Sequence, residues 1–358
     1  MSDKRYLVVD LDGTLIRTDL LIESASQFLI HYPFEFFKPL LWLLRGKTVL
    51  KNELAQRACL DVSALPYNND VLDWLRAEKQ RGRRLVLATA SHRVLADQVA
   101  HHLNLFDEVL ATEGDTNLKS EAKAQALVVR FGEGQFDYVG NDWPDMQVWG
   151  KSHMAHVVDA PDALLRRLQA QGSVGQVFDS GVPSAGLALL KAMRFHQWMK
   201  NLLVFVPLMA AHQYADVSRA GLALMAFVLF SMTASSVYLL NDLVDVQDDR
   251  HHVRKRYRPF ASGSLSLVIG WVTWPLLVLA AAALSLFCMP VSFSESLGVY
   301  FILTIAYSMH LKRMAVVDAL TLAALYTLRI IAGAAAIDVA VSFWLLLFSM
   351  FIFLSLAL

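Results

Sequence analysis

From about residue 187 onward the chain is a succession of apolar runs, and nothing else in it restricts the fold as much. The runs fall at about 187–212, 219–241, 267–289, 291–310, 316–338 and 341–358. Each is near the roughly 20 residues that carry a helix across a bilayer. In hydrocarbon every backbone N–H and C=O must be paired within the segment, so runs of this kind can only be helices. The second half is therefore expected to be an all-α multi-span membrane bundle, residues 187–358, with about six spans. The chain ends at Leu358 inside the sixth run, so the bundle reads as incomplete.

The first half has a different grammar. Tyr6 to Asp10 reads as a buried strand running into D-L-D-G-T-L, and further apolar strands at Leu85–Ala88 and Phe136–Val139 end in T-A-S and G-N-D-W-P-D. Three strands that each finish in small or acidic residues imply one site at the carboxyl ends of a parallel sheet. The expected boundaries are an α/β domain over 1–170, with an insertion of mostly helical pattern at about 18–80, and a linker over 171–186 rich in Gly, Ser and Gln. The insertion contains F-E-F-F-K-P-L-L-W-L-L, Phe34–Leu44, too short to span a bilayer. It suits the core of that insertion's helices best, with a membrane-lying segment as the alternative.

Composition excludes several classes. Lys plus Arg and Asp plus Glu are 32 each, so no global field attracts nucleic acid, and no nucleic-acid motif is present. Two cysteines, Cys59 and Cys288, lie in different halves and give neither a disulfide framework nor a metal cluster. The amino terminus is too charged for a signal peptide. Lys and Arg gather at 250–258 and 312–313, whereas the opposite loops near 213–218, 290–296 and 337–340 have none. By the positive-inside rule the chain is an integral protein of the inner or cell membrane with its first domain in the cytoplasm.

The most chemically loaded stretch is Asn241 to Gly263, N-D-L-V-D-V-Q-D-D-R-H-H-V-R-K-R-Y-R-P-F-A-S-G. Asp242, Asp245 and Asp249 fall at i, i+3 and i+7, one face of a helix. Carboxylates with substrate phosphates are how Mg²⁺ is usually held. The basic run Arg250, Arg254, Lys255, Arg256 and Arg258 follows at once. Acids beside bases suggest a diphosphate site in which metal and cations share the leaving-group charge. Positive-inside bias alone explains the bases but not three stacked aspartates. Arg329, inside the fifth run, is a functional candidate by its position, with an Asp318–Arg329 pair as the structural alternative.

The N-D-x-x-D-x-x-x-D and K-R-x-R-P-x-x-x-G pattern resembles the first aspartate-rich motif of the UbiA superfamily of intramembrane prenyltransferases. Within it, the likeness is to the branch resembling decaprenyl-phosphate phosphoribosyltransferases and covers about residues 186–358. The resemblance implies Mg²⁺ on Asp242, Asp245 and Asp249 and substrate contacts from Asn241, Lys255 and Arg258. In R-F-H-Q-W-M-K-N it implies that Lys200 and Asn201 face substrate phosphates, and in Y-S-M-H-L-K that Lys312 binds a phosphate. The substrates it implies are phosphoribosyl pyrophosphate and a polyprenyl phosphate. One rival is a prenyl diphosphate donor with an aromatic acceptor; another is a non-catalytic assembly factor. Family members carry further spans and a second polar motif beyond this point.

Residues 4–170 resemble the haloacid dehalogenase (HAD) superfamily through D-x-D-G-T closing an amino-terminal strand. The resemblance implies a Rossmann-like parallel sheet, a phosphatase, and that the insertion at about 18–80 is a small helical cap over the active site. Asp10 would be the nucleophile, Asp12 the acid/base, Thr89 the phosphoryl anchor and Lys123 (or Lys119) the neutralising lysine. Asp142 and Asp145, with Asp10 and Asp12, would hold Mg²⁺. The family's G-D-x-x-x-D appears here as G-N-D-x-x-D, which shifts the alignment by one residue.

Overall fold

A computed structural model describes residues 5–113, 118 and 120–357. It divides into two compact units, Met1–Ala185 with Val246–Leu267, and Gly186–Asp245 with Val268–Leu358. Each is built from its own core.

The first unit runs β1 (Tyr6–Val9), α1 (Leu20–His31), α2 (Lys38–Arg45), α3 (Lys47–Arg57), α4 (Asn69–Gln80), β2 (Leu85–His92), α5 (Arg93–Leu103), β3 (Glu108–Thr112), α6 (Glu121–Phe131), β4 (Phe136–Gly140), α7 (Met146–Trp149), β5 (Ala155–Val158), α8 (Asp162–Ala170) and β6 (Val174–Phe178). The strands form one parallel sheet in the order β3-β2-β1-β4-β5-β6. Its central strands are near-continuous apolar runs because both faces are covered. Leu7, Val9, Leu85 and Leu87 pack with Val71, Leu72 and Leu75 of α4 and Val99 of α5. Val8, Val86, Phe136 and Tyr138 pack on the other side with Leu127 of α6 and Leu164 and Leu168 of α8.

Two expected boundaries move. The segment expected to be a linker, 171–186, contains β6, the sixth strand of the sheet. Its V-G-Q-V-F composition hid it: an edge strand is half exposed, and Gly175 is needed because a Cβ there would lie 2.6 Å from the His156 ring. The expected cap, 18–80, is too long, since α4 belongs to the sheet's core. The cap proper is α1 to α3, with its own small core of Phe28, Trp42, Leu50 and Leu54. Asp19 starts it by accepting from the Leu21 and Ile22 amides, at 2.7 and 3.3 Å.

The second unit begins with α9 (Ala185–Ala192), a 3-10 stretch over Phe195–Phe205 and α10 (Val206–Ala210), then α11 (Val217–Val244). Residues 246–267, which group with the first unit, hold α12 (Val246–His251). The chain continues as α13 (Leu267–Cys288), α14 (Val291–Met309), α15 (Ala315–Ala336) and α16 (Phe343–Ala357). Among the described residues four helices are long and apolar enough to cross a membrane, those within 217–244, 267–288, 291–309 and 316–336. The first apolar run, 187–212, is therefore not one spanning helix. Arg194 in a left-handed conformation (φ 54°) and Pro207 divide it. The core joins Val204, Phe230, Phe293, Tyr300, Leu325 and Ala332. Gly333 lets the backbone at Val204 approach so closely that a Cβ would sit 2.1 Å from the Val204 carbonyl oxygen.

Candidate active sites

In the first unit, β1 delivers Asp10 to the carboxyl edge of the sheet, where its amide donates to the Val139 carbonyl at 3.0 Å. Asp10 Oδ1 accepts from the Leu11 amide and from Lys123 Nζ, each at 2.9 Å. Lys123, in the first turn of α6, is buried and also donates to the Tyr138 hydroxyl at 3.0 Å. Tyr138 in turn donates to Asp145 Oδ1 at 2.9 Å. Burial alone would lower the Lys123 pKa, but the charges of Asp10 and Asp145 outweigh it and raise it. Burial, then the charge of Asp10, pushes Asp145 up to about 6.

Asp12 is held from two sides. Its Oδ1 accepts from the Leu20 amide at 2.8 Å, and its Oδ2 from Ser91 Oγ at 2.6 Å and Thr89 Oγ1 at 3.2 Å. Burial and the nearby Asp19 raise its pKa to about 7, against the hydrogen bonds from Ser91 and Leu20. A carboxyl poised near neutrality can both give and take a proton, as acid/base chemistry requires.

The structure separates the two aspartates of G-N-D-W-P-D. Asp145 is buried in the cluster, whereas Asp142 is exposed and its carboxylate accepts from the Trp143 amide at 2.7 Å. Asn141 takes the inward place, accepting from Thr14 Oγ1 at 3.3 Å beside the Gly13 turn. The residue directly after the strand's last glycine was the signal. Ser91 and Tyr138 also escaped the sequence reading, although T-A-S places Thr89 and Ser91 on one face of β2. Lys119 lies outside the described residues.

In the second unit, α11 ends at Val244 with Asp245 as its C-cap, so the aspartate run is not one unbroken helix. Asp242 is buried and accepts from Arg194 Nη2 at 2.6 Å, and Arg194 stacks on the Tyr238 ring at 4.9 Å. Asp245 lies 3.9 Å from Lys312 Nζ. Asn241 Nδ2 donates to Ser308 Oγ at 2.9 Å. A cavity of about 130 Å³ is lined by Lys200, Asn241, Tyr238, Tyr300, Tyr326 and Arg329, among others.

Arg329 is buried without the partner anticipated for it. Asp318 instead accepts from the Tyr307 hydroxyl at 2.8 Å. The Arg329 guanidinium donates to Asn201 Oδ1 at 2.8 Å, the Leu325 carbonyl at 2.6 Å and the Tyr300 hydroxyl at 3.0 Å. It lies 5.0 and 5.2 Å from the Tyr300 and Tyr326 ring centroids. Asn201 is thus occupied in orienting Arg329, its amide also donating to Ser231 Oγ at 2.9 Å.

The remaining motif residues sit in the first unit's second piece. Buried Asp249 faces Arg258 Nη1 at 2.7 Å and Lys255 Nζ at 3.8 Å. Arg250 is a structural residue, forked onto buried Glu23 of α1 at 2.6 and 3.1 Å. Among the described residues no three His, Cys, Asp or Glu side chains converge as a metal-binding group. The donor chemistry nevertheless suits magnesium: Asp10 and Asp145 bring hard carboxylate oxygens together beside one lysine, and Asp242 and Asp245 of the second unit offer the same atom type.

Two family models match the chain. The haloacid dehalogenase-like hydrolase profile matches residues 7–130, and that of the UbiA prenyltransferase family matches 201–358. The chain is 34% identical to "Uncharacterized protein y4nM" of Sinorhizobium fredii over 99% of its own length and 68% of that protein's. It is 40% identical to a decaprenyl-phosphate phosphoribosyltransferase of Mycolicibacterium smegmatis over 44% of this chain, a match spanning about half, 51%, of that relative. A substrate-bound phosphoserine phosphatase overlays 50% of this chain and 94% of its own at 15% identity and a TM-score of 0.35. This integral membrane protein belongs with y4nM and joins a haloacid dehalogenase-like hydrolase domain to a domain of the UbiA prenyltransferase family.

Proposed function

We propose that the helical unit transfers 5-phosphoribose from phosphoribosyl pyrophosphate to a polyprenyl phosphate, and that the α/β unit then removes the 5-phosphate of the lipid-linked product. The observation that carries the first step is the cavity walled by Lys200, Asn241, Arg329 and tyrosines, all but Lys200 within residues 201–358, which match the UbiA prenyltransferase family. Its buried guanidinium, locked by three acceptors and two rings, is a preorganised positive charge of the kind that stabilises a developing anion. A polyprenyl phosphate oxygen bonds to the anomeric carbon as the carbon–oxygen bond to pyrophosphate breaks. Lys312, 3.9 Å from Asp245, meets the leaving charge. Magnesium, bound through Asp242 and Asp245, would supply further neutralisation of that pyrophosphate.

In the second step an Asp10 oxygen bonds to the phosphorus of the ribose 5-phosphate, and the departing ribose oxygen takes the proton of Asp12. Thr89 holds the transferred group and Lys123 offsets its charge. Asp12 then takes a proton from water as the water oxygen bonds to phosphorus and the Asp10–phosphorus bond breaks, which releases inorganic phosphate and restores the Asp10 carboxylate. Magnesium at Asp10 and Asp145 would balance the phosphate's charge. Lys and Arg at 250–258 and 312–313 support a cytoplasmic setting for both steps.

The test supplies phosphoribosyl pyrophosphate and polyprenyl phosphate to the membrane-embedded protein and to its Asp10→Asn variant, with lipid products weighed by mass spectrometry. Wild type should give the dephosphorylated lipid-linked ribose and the variant its 5-phosphate form. The same phosphorylated lipid from both would remove the phosphatase step. Pyrophosphate release from a prenyl diphosphate, and none from phosphoribosyl pyrophosphate, would replace the transferase assignment.

A further inference from the structure

The cap carries an apolar face that its own core does not use. The residues expected to fill a cap-helix core point outward: Phe34 is 91% exposed, Phe36 69%, Leu40 61% and Leu44 77%, with Phe37 and Leu41 also exposed. From Phe37, the N-cap of α2, through the helix, Phe37, Leu40, Leu41 and Leu44 recur at i, i+3, i+4 and i+7, which is one continuous stripe. Trp42 alone turns inward, edge-on to Phe28 at 5.1 Å and under the Arg57 guanidinium at 4.9 Å. The helix is thus pinned by its back, and the stripe is an ordered surface. Contiguous exposed apolar surface of this size marks an interaction site.

We propose that Pro33–Arg45 is a membrane-interface surface, lying in the headgroup and upper acyl region of the bilayer that the chain's own helices cross. Three observations select lipid as the occupant. The chain contains four bilayer-length helices, so a bilayer is tethered to this segment at all times. Cations rim the stripe: between Tyr32 and Leu50 the charged residues are Lys38, Arg45 and Lys47 against Glu35 alone. Lys38 pairs with Glu35 at 2.8 Å, which leaves Arg45 and Lys47 to face anionic headgroups. The same charges would repel each other across an interface between two copies of this face. Aromatic and leucine side chains over basic flanks are also how amphipathic helices lie in a membrane plane. Since the cap stands over Asp12 through α1, whose first amide donates to that carboxylate, the surface places a phosphatase site next to lipid-borne phosphate. That last consequence rests on the proposed function; the surface itself does not.

The test uses the full chain in vesicles of phosphatidylethanolamine and phosphatidylglycerol. With Cys59 and Cys288 changed to Ser, single nitroxide labels are placed at Leu40→Cys, Leu44→Cys and, as a water-facing control, Arg76→Cys. Labels at 40 and 44 should be more accessible to oxygen than to a water-soluble nickel chelate, and the label at 76 the reverse. Chelate-dominated accessibility at 40 and 44 overturns the proposal. So does shielding from both probes with a short label-to-label distance, which would mean a second copy covers the face. In the triple variant Phe36→Glu, Leu40→Glu, Leu44→Glu, hydrolysis of a soluble aryl phosphate should persist while turnover of the lipid-linked phosphate falls. Equal retention of both would show that the face does not serve the phosphatase. Loss of soluble hydrolysis in the unaltered protein would sink the phosphatase reading and leave the label result standing.

Discussion

Arg250 and Glu23 are 227 positions apart, yet they form a buried two-pronged ion pair in one unit, with Arg250 also donating through Nε to the Ala261 carbonyl at 3.1 Å. The basic residue that follows the aspartate motif most closely is thereby spent on holding the loop to the cap helix. Gly263 completes the attachment: a Cβ there would lie 2.7 Å from the Arg17 Cβ, and its φ of 74° favours glycine.

Breaking that pair from one side should cost about 3–5 kcal/mol, because a charge is left buried and alone. Glu23→Gln and Arg250→Ala should each lower the thermal midpoint in detergent. The double variant Glu23→Gln, Arg250→Ala should lose less than the two single effects combined. Strict additivity in the double-mutant cycle would mean that the pair is not coupled.

Asp137 offers a pH signature away from both sites. Burial opposes its charge, but the nearby His156 and the Arg83 guanidinium outweigh it and hold the carboxyl at about 2. A depressed carboxylate stabilises the fold above its unfolded pKa and loses that contribution as pH falls through the folded value. The loss should therefore run from the ordinary aspartate range, about 3.9, down to about 2. Arg83→Met should shift the onset of acid unfolding to higher pH, readable by thermal melts across an acid series.

Gly333→Ala should destabilise the helical unit by about 1–3 kcal/mol, the scale of an overpacked core. The obstacle is the Val204 carbonyl, backbone that cannot rotate away. An unchanged melting midpoint would show that α15 can slide to accommodate it.

Arg329→Lys keeps a charge but cannot reproduce the fork to Asn201 and Tyr300. Transferase turnover should fall roughly a hundredfold, the scale for losing one preorganised donor. Asn201→Ala should fall in the same direction but less far, since Tyr300 and the Leu325 carbonyl remain. Full activity in Arg329→Lys would reduce the residue to a packing role.

Local pattern went furthest where chemistry and structure share a periodicity. Strands β1, β2 and β4 were legible because a central parallel strand is largely apolar up to its first functional residue. β6 was not, because an edge strand has no such run and Gly175 is there for the His156 ring. The four long helices were legible from length and hydropathy. The break at Arg194 depends on a backbone conformation that the side chain does not announce. Partnerships were the least legible: Arg329 chose Asn201 and Tyr300 over Asp318, and Arg250 chose Glu23. Such choices depend on which helices meet, and spacing along one helix carries no trace of them.

The discontinuity of the first unit also sets an order of events during synthesis. Its first piece ends at Ala185, but Val246–Leu267 is needed to complete it, and the spanning helix α11 is made in between. Glu23 therefore leaves the ribosome with its cation still unmade, and at about 5–20 residues per second the wait is roughly ten to forty-five seconds. Until the loop that follows α11 has emerged, the cap helix carries an unmatched carboxylate at a position destined to be dry. The first unit can therefore close only after a bilayer-length helix of the second has been made.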